Sequence, residues 1–199
     1  MKRSNRLFGA LLPLLLVATF LPPAARAEAP SAVVLAVSGD VQAVHGGVHR
    51  RLRLRSALYS GDTIISGKGQ VQLRFKDGTL FSLYDHTTFA IDDYRYNGKG
   101  PRNRAHFSLL KGLIHSLTGN IDKRGYRVRT RLADLGVRGT DYTADLGKRL
   151  AVNVRHGAVL ISNRAGSLLV RAGSGAIVGA AGLFPTLIAP HVGRRPGAP

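Results

Sequence analysis

Leu135-Gly136-Val137-Arg138-Gly139-Thr140-Asp141 is the stretch whose reading decides the fold. Leu135 and Val137 alternate with small or polar residues, the period of a strand with one buried face. Gly136 and Gly139 bracket a single arginine, and glycine inside a strand pattern marks a bulge, a positive φ or a close backbone approach. Alternation resumes with Tyr142, Ala144 and Leu146 against Thr143 and Asp145, so the strand is expected to bend and continue. The bend aims Arg138. With Asp141 nearby, its expected use is an internal charge-assisted hydrogen bond rather than a fork offered to a partner.

Downstream, Val137-Arg138-Gly139 is echoed by Val154-Arg155-His156-Gly157 and Val170-Arg171-Ala172-Gly173, at spacings of 17 and 16 residues. Short strands with glycine corners at a regular period suit a coiled β-solenoid, in which each coil buries its apolar side against its neighbours. A β-sandwich spaces its turns similarly and is the alternative. Upstream, Val33–Val37 and Val41–His45 read as strands around Ser38-Gly39-Asp40. Gln70–Phe75 and Leu80–Tyr84 flank Asp77-Gly78, a two-residue hairpin signal. His106–Leu110 and Leu113–Leu117 are further strands, because Gly112 opposes a helix there. Two stretches carry arginine on alternate positions: Arg51, Arg53 and Arg55, then Arg127, Arg129 and Arg131. Each is expected to be a half-buried strand with a cationic outer face, either a solvated edge or an anion-binding stripe. Adjacent Asp92 and Asp93 point to opposite faces of an extended strand, so a turn or a contact with arginine is expected of them, not paired acid–base work.

Lys2, Arg3 and Arg6 precede an apolar run, Leu7–Leu21, which Pro22-Pro23 ends before Ala25-Arg26-Ala27 and Glu28. This is the pattern of a cleaved export signal; a membrane-spanning helix needs about twenty apolar residues. The expected organisation is a signal peptide over 1–27, a linker over 28–32, one β domain over 33–178 and a flexible tail over 179–199. Removal of the signal leaves 172 residues with 25 basic and 11 acidic side chains, a net charge of +14, and no membrane span. There is no cysteine, which excludes disulfides, thiolate nucleophiles and cysteine-ligated metals. The excess of arginine implies attraction to polyanions.

Several of these segments carry a family likeness. Leu135–Asp141 with Arg129-Thr130 resembles the most specific motif of the FecR domain family, the extracytoplasmic β-rich module of iron-dicitrate-type signalling regulators. Gly61-Asp62-Thr63-Ile64 resembles its G-D-x-I turn, and Phe75-Lys76-Asp77-Gly78-Thr79 its F-x-D-G-[ST] hairpin. Phe107–Asn120 is similar to the F-x-L-x-x-G-x-x-R-x-x-T-G segment of stand-alone members, and Gly157–Ile161 to the closing strand. Thr130-Arg131 departs from the common Thr-Pro, and His115 takes the place of a basic residue. The resemblance implies a short twisted β-helix, with structural roles for Gly61, Asp62, Asp77, Gly78, Gly119, Thr130, Gly136, Arg138, Gly139, Thr140, Asp141 and Gly157. Only six residues precede the apolar run, leaving no room for the regulators' cytoplasmic anti-sigma region.

No motif for catalysis accompanies the likeness. The histidines at 45, 49, 86, 106, 115, 156 and 191 form no recognised metal spacing, and Gly173-Ser174-Gly175 lacks the outer glycine of a nucleophile elbow. No catalytic residue, metal ligand or cofactor is expected. The expected function is a non-enzymatic periplasmic or secreted module for envelope signalling, binding an envelope protein such as a membrane-bound sensor. The alternative is a basic structural protein that binds an anionic envelope polymer: lipopolysaccharide, acidic polysaccharide or nucleic acid. Expressed with its leader in a bacterial host, the exported protein is expected to start at Glu28, read as an intact mass lacking residues 1–27.

Overall fold

The computed structural model describes residues 29–98, 100–121 and 124–188; the signal-peptide reading over 1–27 and the tail beyond 188 lie outside the described residues. The described chain is mainly β. It begins with β1 (Ala32–His45), β2 (Val48–Arg51), β3 (Ala57–Leu58) and β4 (Thr63–Phe75). The middle holds β5 (Leu80–Leu83), β6 (Thr88–Arg95), β7 (Arg104–Leu117), β8 (Tyr126–Arg129) and β9 (Asp134–Leu146). The last four are β10 (Leu150–Asn163), β11 (Gly166–Arg171), β12 (Ser174–Val178) and β13 (Thr186–Ile188). No helix among the described residues is long and apolar enough to cross a membrane.

The five long strands share one device. Each reverses, near a central glycine, the parity of the side chains it buries. β1 buries Ala32 and Val34 before Gly39, then Val41 and Ala43 after it. β7 buries Ala105, Phe107 and Leu109, then Ile114 and Ser116 beyond Gly112. β9 changes from Leu135 and Val137 to Tyr142 and Ala144 at Gly139, and β10 from Val152 and Val154 to Val159 and Ile161 at Gly157. In β4 the change falls between Ser66 and Val71, around Gly67 and Gly69. One extra residue in a pleated strand moves every later side chain to the other face. Here the backbone bends at the same place, so both halves of each strand bury side chains in one apolar cluster.

Pairing is antiparallel except between β7 and β8. β4 bonds β6 through its first half and β5 through its second, and β7 bonds the same two strands, closing a four-stranded ring β4–β5–β7–β6. Phe107 sits in the middle, with ring centroids 5.0 Å from Phe75, 5.1 Å from Phe81 and 5.4 Å from Phe89. Such offset and edge-on pairs add to the burial of the rings themselves.

The mainly β expectation holds, but the ladders do not show the coil-on-coil winding of a solenoid. The valine-arginine-glycine repeat has a different cause. Gly139 and Gly157 are corners of adjacent antiparallel strands, and β11 and β12 run on one line along β10, interrupted at Ala172-Gly173. Gly173 N donates to Val154 O at 2.9 Å and Ala172 N to Gly157 O at 3.0 Å, so the third corner lies beside the second. The interval is the contour length between corners of successive antiparallel strands, not a coil's circumference. Residues 179–188, expected to be part of a loose tail, instead bury Pro185 and add β13 to β12.

Gly112 tests the corner. Its φ is +91°, and a Cβ there would lie 2.4 Å from Thr87 Oγ1 and 2.5 Å from Thr87 Cα. Thr87 is held in place, its Oγ1 donating to Leu113 O at 3.1 Å and accepting from Leu113 N at 3.0 Å. Gly112→Ala is expected to cost about 2–3 kcal/mol, read as a lower urea midpoint with unchanged slope.

Candidate functional site

The acids of the sequence motifs are fasteners between elements. Asp62 follows Gly61, whose φ of +84° turns the chain into β4. Its side chain is fully buried and accepts from Tyr59 N at 2.8 Å, from the Arg50 guanidinium and from His45 Nδ1 at 3.0 Å. Arg50 also donates to Ala57 O at 2.9 Å and lies 5.9 Å from the centre of the Tyr59 ring. One carboxylate thus ties the β1–β2 hairpin to the entry of β4.

Asp77 is also buried. It accepts from Tyr94 Oη at 2.8 Å and from Thr79 Oγ1 at 2.5 Å, while Tyr94 Oη accepts from Asp77 N at 2.9 Å. Burial, and next the negative charge of Asp77, push the Tyr94 phenol well above its ordinary value, so it stays a donor. Thr79 Oγ1 accepts from Gly119 N at 2.9 Å, and a Cβ on Gly119 would meet Asp77 O at 2.3 Å. Thr79 and Gly119 are forty residues apart, so the Asp77-Gly78 hairpin and Gly119 are two halves of one joint.

Thr130 Oγ1 donates to Ala133 O at 2.8 Å and accepts from Ala133 N at 3.0 Å, fixing the turn before β9. Thr140 N donates to Thr118 Oγ1 at 2.7 Å and its Oγ1 donates to Ala158 O at 2.9 Å, joining β9 to β10 and to the residue that follows β7. Gly136 lies opposite Leu160 in the β9–β10 ladder. Asp141 pairs with His115 Nε2 at 2.6 Å and Arg155 Nε at 3.3 Å, the histidine mostly covered and the arginine open to solvent. These two partners were not foreseen from sequence, because they come from neighbouring strands. The Arg138 side chain, expected to be the internal staple here, lies outside the described part of the structure; its backbone pairs with Ala158.

Polar groups in the core follow the same logic. Ser116, Tyr126 and Tyr142 form a buried hydroxyl chain with steps of 3.1 and 3.4 Å. Burial raises the Tyr126 phenol and pushes Tyr142 up to about 12. Among the described residues no three His, Asp or Glu side chains converge as metal ligands, and no hydroxyl is bonded to His115.

The two arginine stretches part company. Arg127 and Arg129 stand on the exposed face of β8, as the alternation requires, with Arg129 Nε 3.7 Å from Asp134. Arg131 lies past the strand and donates to Gly147 O. Arg51 closes β2, but Arg53 and Arg55 sit in a turn in which Arg53 N donates to Ser56 Oγ at 2.9 Å and Arg55 has φ +66°. Leu54 consequently faces solvent, so the expected strand face at 51–55 is corrected to a strand end and a turn. Asp92 and Asp93 split as expected: Asp93 pairs with Arg104 at 2.7 Å, and Asp92 accepts from Ser108 Oγ at 2.7 Å.

The surface that sequence reading missed is β11. It pairs with β10 alone, leaving its other edge without a ladder among the described residues. Leu169 lies opposite Leu160 on the outer face, 45% and 43% exposed, and exposed Arg164 and Arg171 flank the strand. The turn Asn163-Arg164-Ala165-Gly166 before an aliphatic run was the available signal.

Comparison with known proteins bears on residues 62–160, which match the family described as FecR protein. The chain belongs to the FecR family. The FecR match runs from buried Asp62 through most of β10, so it contains the Asp77–Gly119 joint and the β9 and β10 corners and leaves out β1–β3 and β11–β13. Two crystal structures, at 1.65 and 2.50 Å, of a protein from Parabacteroides distasonis titled a "putative anti-sigma factor" are similar to it. Each has 20% identity and a TM-score of 0.50 over 63% of this FecR chain and 57% of that one, a likeness of fold. No sequence among curated proteins matches.

Asp62→Ala is expected to cost about 2–3 kcal/mol, less than a fully buried pair because His45 and Arg50 keep contact with water. Arg129→Ala on the open face should stay within about 0.5 kcal/mol. Thermal unfolding of the two variants side by side checks both.

Proposed function

We propose that this FecR protein is a non-catalytic exported module that takes part in envelope signalling by binding another protein. The observation that carries the reading is the unpaired edge of β11 with its exposed Leu160–Leu169 pair. An open strand edge accepts an extended segment of a partner, whose main chain completes the ladder while alternate side chains select it. Arg164 and Arg171 at the two ends favour an acidic segment, and the net charge opposes a second copy of the same chain. FecR membership supports a regulatory role, and an envelope protein such as a membrane-bound sensor suits an exported module. In the bacterial envelope, a photo-crosslinker at Ser167 is expected to capture one protein, and Leu169→Arg to abolish the capture without changing the melting temperature. Equal capture from a crosslinker at Val48, on the far edge strand β2, would overturn the assignment of the edge.

A second reading, polyanion binding, draws on exposed Arg127 and Arg129 and on the overall charge. It requires affinity that falls steeply with salt, because counterions are released on binding, whereas a packed protein contact changes little. Retention on heparin that persists in high salt rejects it.

A further inference from the structure

β12 and β13 are joined by a turn that Leu183 N closes by donating to Ala180 O at 3.0 Å. Leu183 and Phe184, at its end, are 58% and 52% exposed. Both are held in place. Leu183 O accepts from Asn163 Nδ2 at 2.7 Å, and the Phe184 ring lies over Gly166, where a Cβ would meet its Cε2 at 2.8 Å. The turn is thereby fastened to the β10–β11 hairpin, which carries exposed Arg164. On its other side, a Cβ on Gly179 would lie 3.5 Å from Leu183 Cδ1, and Gly179 follows Val178, the partner of Leu150 at the start of β10. The β9–β10 hairpin, with exposed Lys148 and Arg149, is therefore a neighbour, and Arg131 is tied to it through Gly147 O.

An apolar tip thus stands between cations from three connections of the chain. Asp145, which interacts with Arg149, offsets one of the four charges, and Asp134 is taken up by Arg129. The excess is positive. Leucine and phenylalanine pinned in water on a turn gain by transfer to an apolar medium. The cations on both sides say which medium: one that is apolar below and anionic at its rim. At an anionic bilayer, large apolar side chains enter the acyl boundary while lysine and arginine reach up to the phosphates. A soluble polyanion would use the cations and leave Leu183 and Phe184 in water. A partner's strand would need an open edge, which a closed turn does not offer.

We infer that the turn 180–184 seats the protein on the surface of an anionic phospholipid bilayer. Leu183 and Phe184 enter the interface, and Arg131, Lys148, Arg149 and Arg164 lie against the headgroups. The contact is peripheral and spans nothing. It goes beyond the protein-binding function and shares only Arg164 with the edge of β11, so each can fail without the other.

The test sediments the exported chain with vesicles of phosphatidylcholine alone, or of two parts phosphatidylcholine to one part phosphatidylglycerol. Binding is expected to the anionic vesicles and not to the neutral ones. The sequence has no cysteine, so an environment-sensitive dye can be placed on Ala180→Cys alone. Its emission should shift to the blue with anionic vesicles, while the same dye on Val48→Cys in β2 stays unshifted. Leu183→Ser should weaken binding about tenfold, and Lys148→Ala and Arg149→Ala each about fivefold, with the melting temperature of the free protein unchanged. Leu169→Arg on β11 should not weaken vesicle binding, and Leu183→Ser should not reduce capture at Ser167, which separates the two readings. Sedimentation with neither vesicle, equal sedimentation with both, or no shift at Ala180 would overturn the inference. So would undiminished binding of Leu183→Ser, which would mark a contact made by charge alone.

Discussion

The structure depends on the parity reversal at mid-strand. A straight strand with period-two alternation buries side chains on one side only, and a domain of this size built from straight strands would need a second, separate sheet for its core. By bending five long strands at neighbouring glycine corners, the chain lets each of them face the same apolar cluster twice. The cost is a backbone conformation that side-chain-bearing residues resist, together with tight approaches such as Gly112 to Thr87. The motif acids compensate at the places where bent strands meet. Asp62 ties the first hairpin to β4, Asp77 ties a turn to the far end of β7, and Asp141 holds β7 and β10 to β9.

Much of this was legible in the sequence because it is local. Gly139 between Val137 and a resumed alternation announced a bend, and Asp77-Gly78 announced a hairpin. The adjacency of Asp92 and Asp93 ruled out their convergence. What failed was inference from spacing to topology: a 16- or 17-residue interval between glycine corners describes a coil or an antiparallel strand pair equally well, and only the ladder tells them apart. Arg53 and Arg55 mislead for a similar reason, since the Ser56 turn interrupts a pattern that looks periodic over five residues. The partners of Asp141 were out of reach because strand register decides them, and register is a tertiary property.

The molecule separates its surfaces by chemistry. Family-motif residues are largely spent inside, joining elements, so the FecR signature reports architecture. What the motif leaves open faces outward: the arginines of β8 and the apolar edge of β11.

The closed ring β4–β5–β7–β6 also governs the order in which the chain matures. β5 and β6 cannot acquire their second neighbours until β7 has emerged, so a polypeptide delivered from its amino end keeps one edge of each unsatisfied until β7 is complete at Leu117. During that interval those two edges have nothing to cap them, the condition under which chains join edge to edge. A holding chaperone, rather than local propensity, is then the guardian of yield for this architecture.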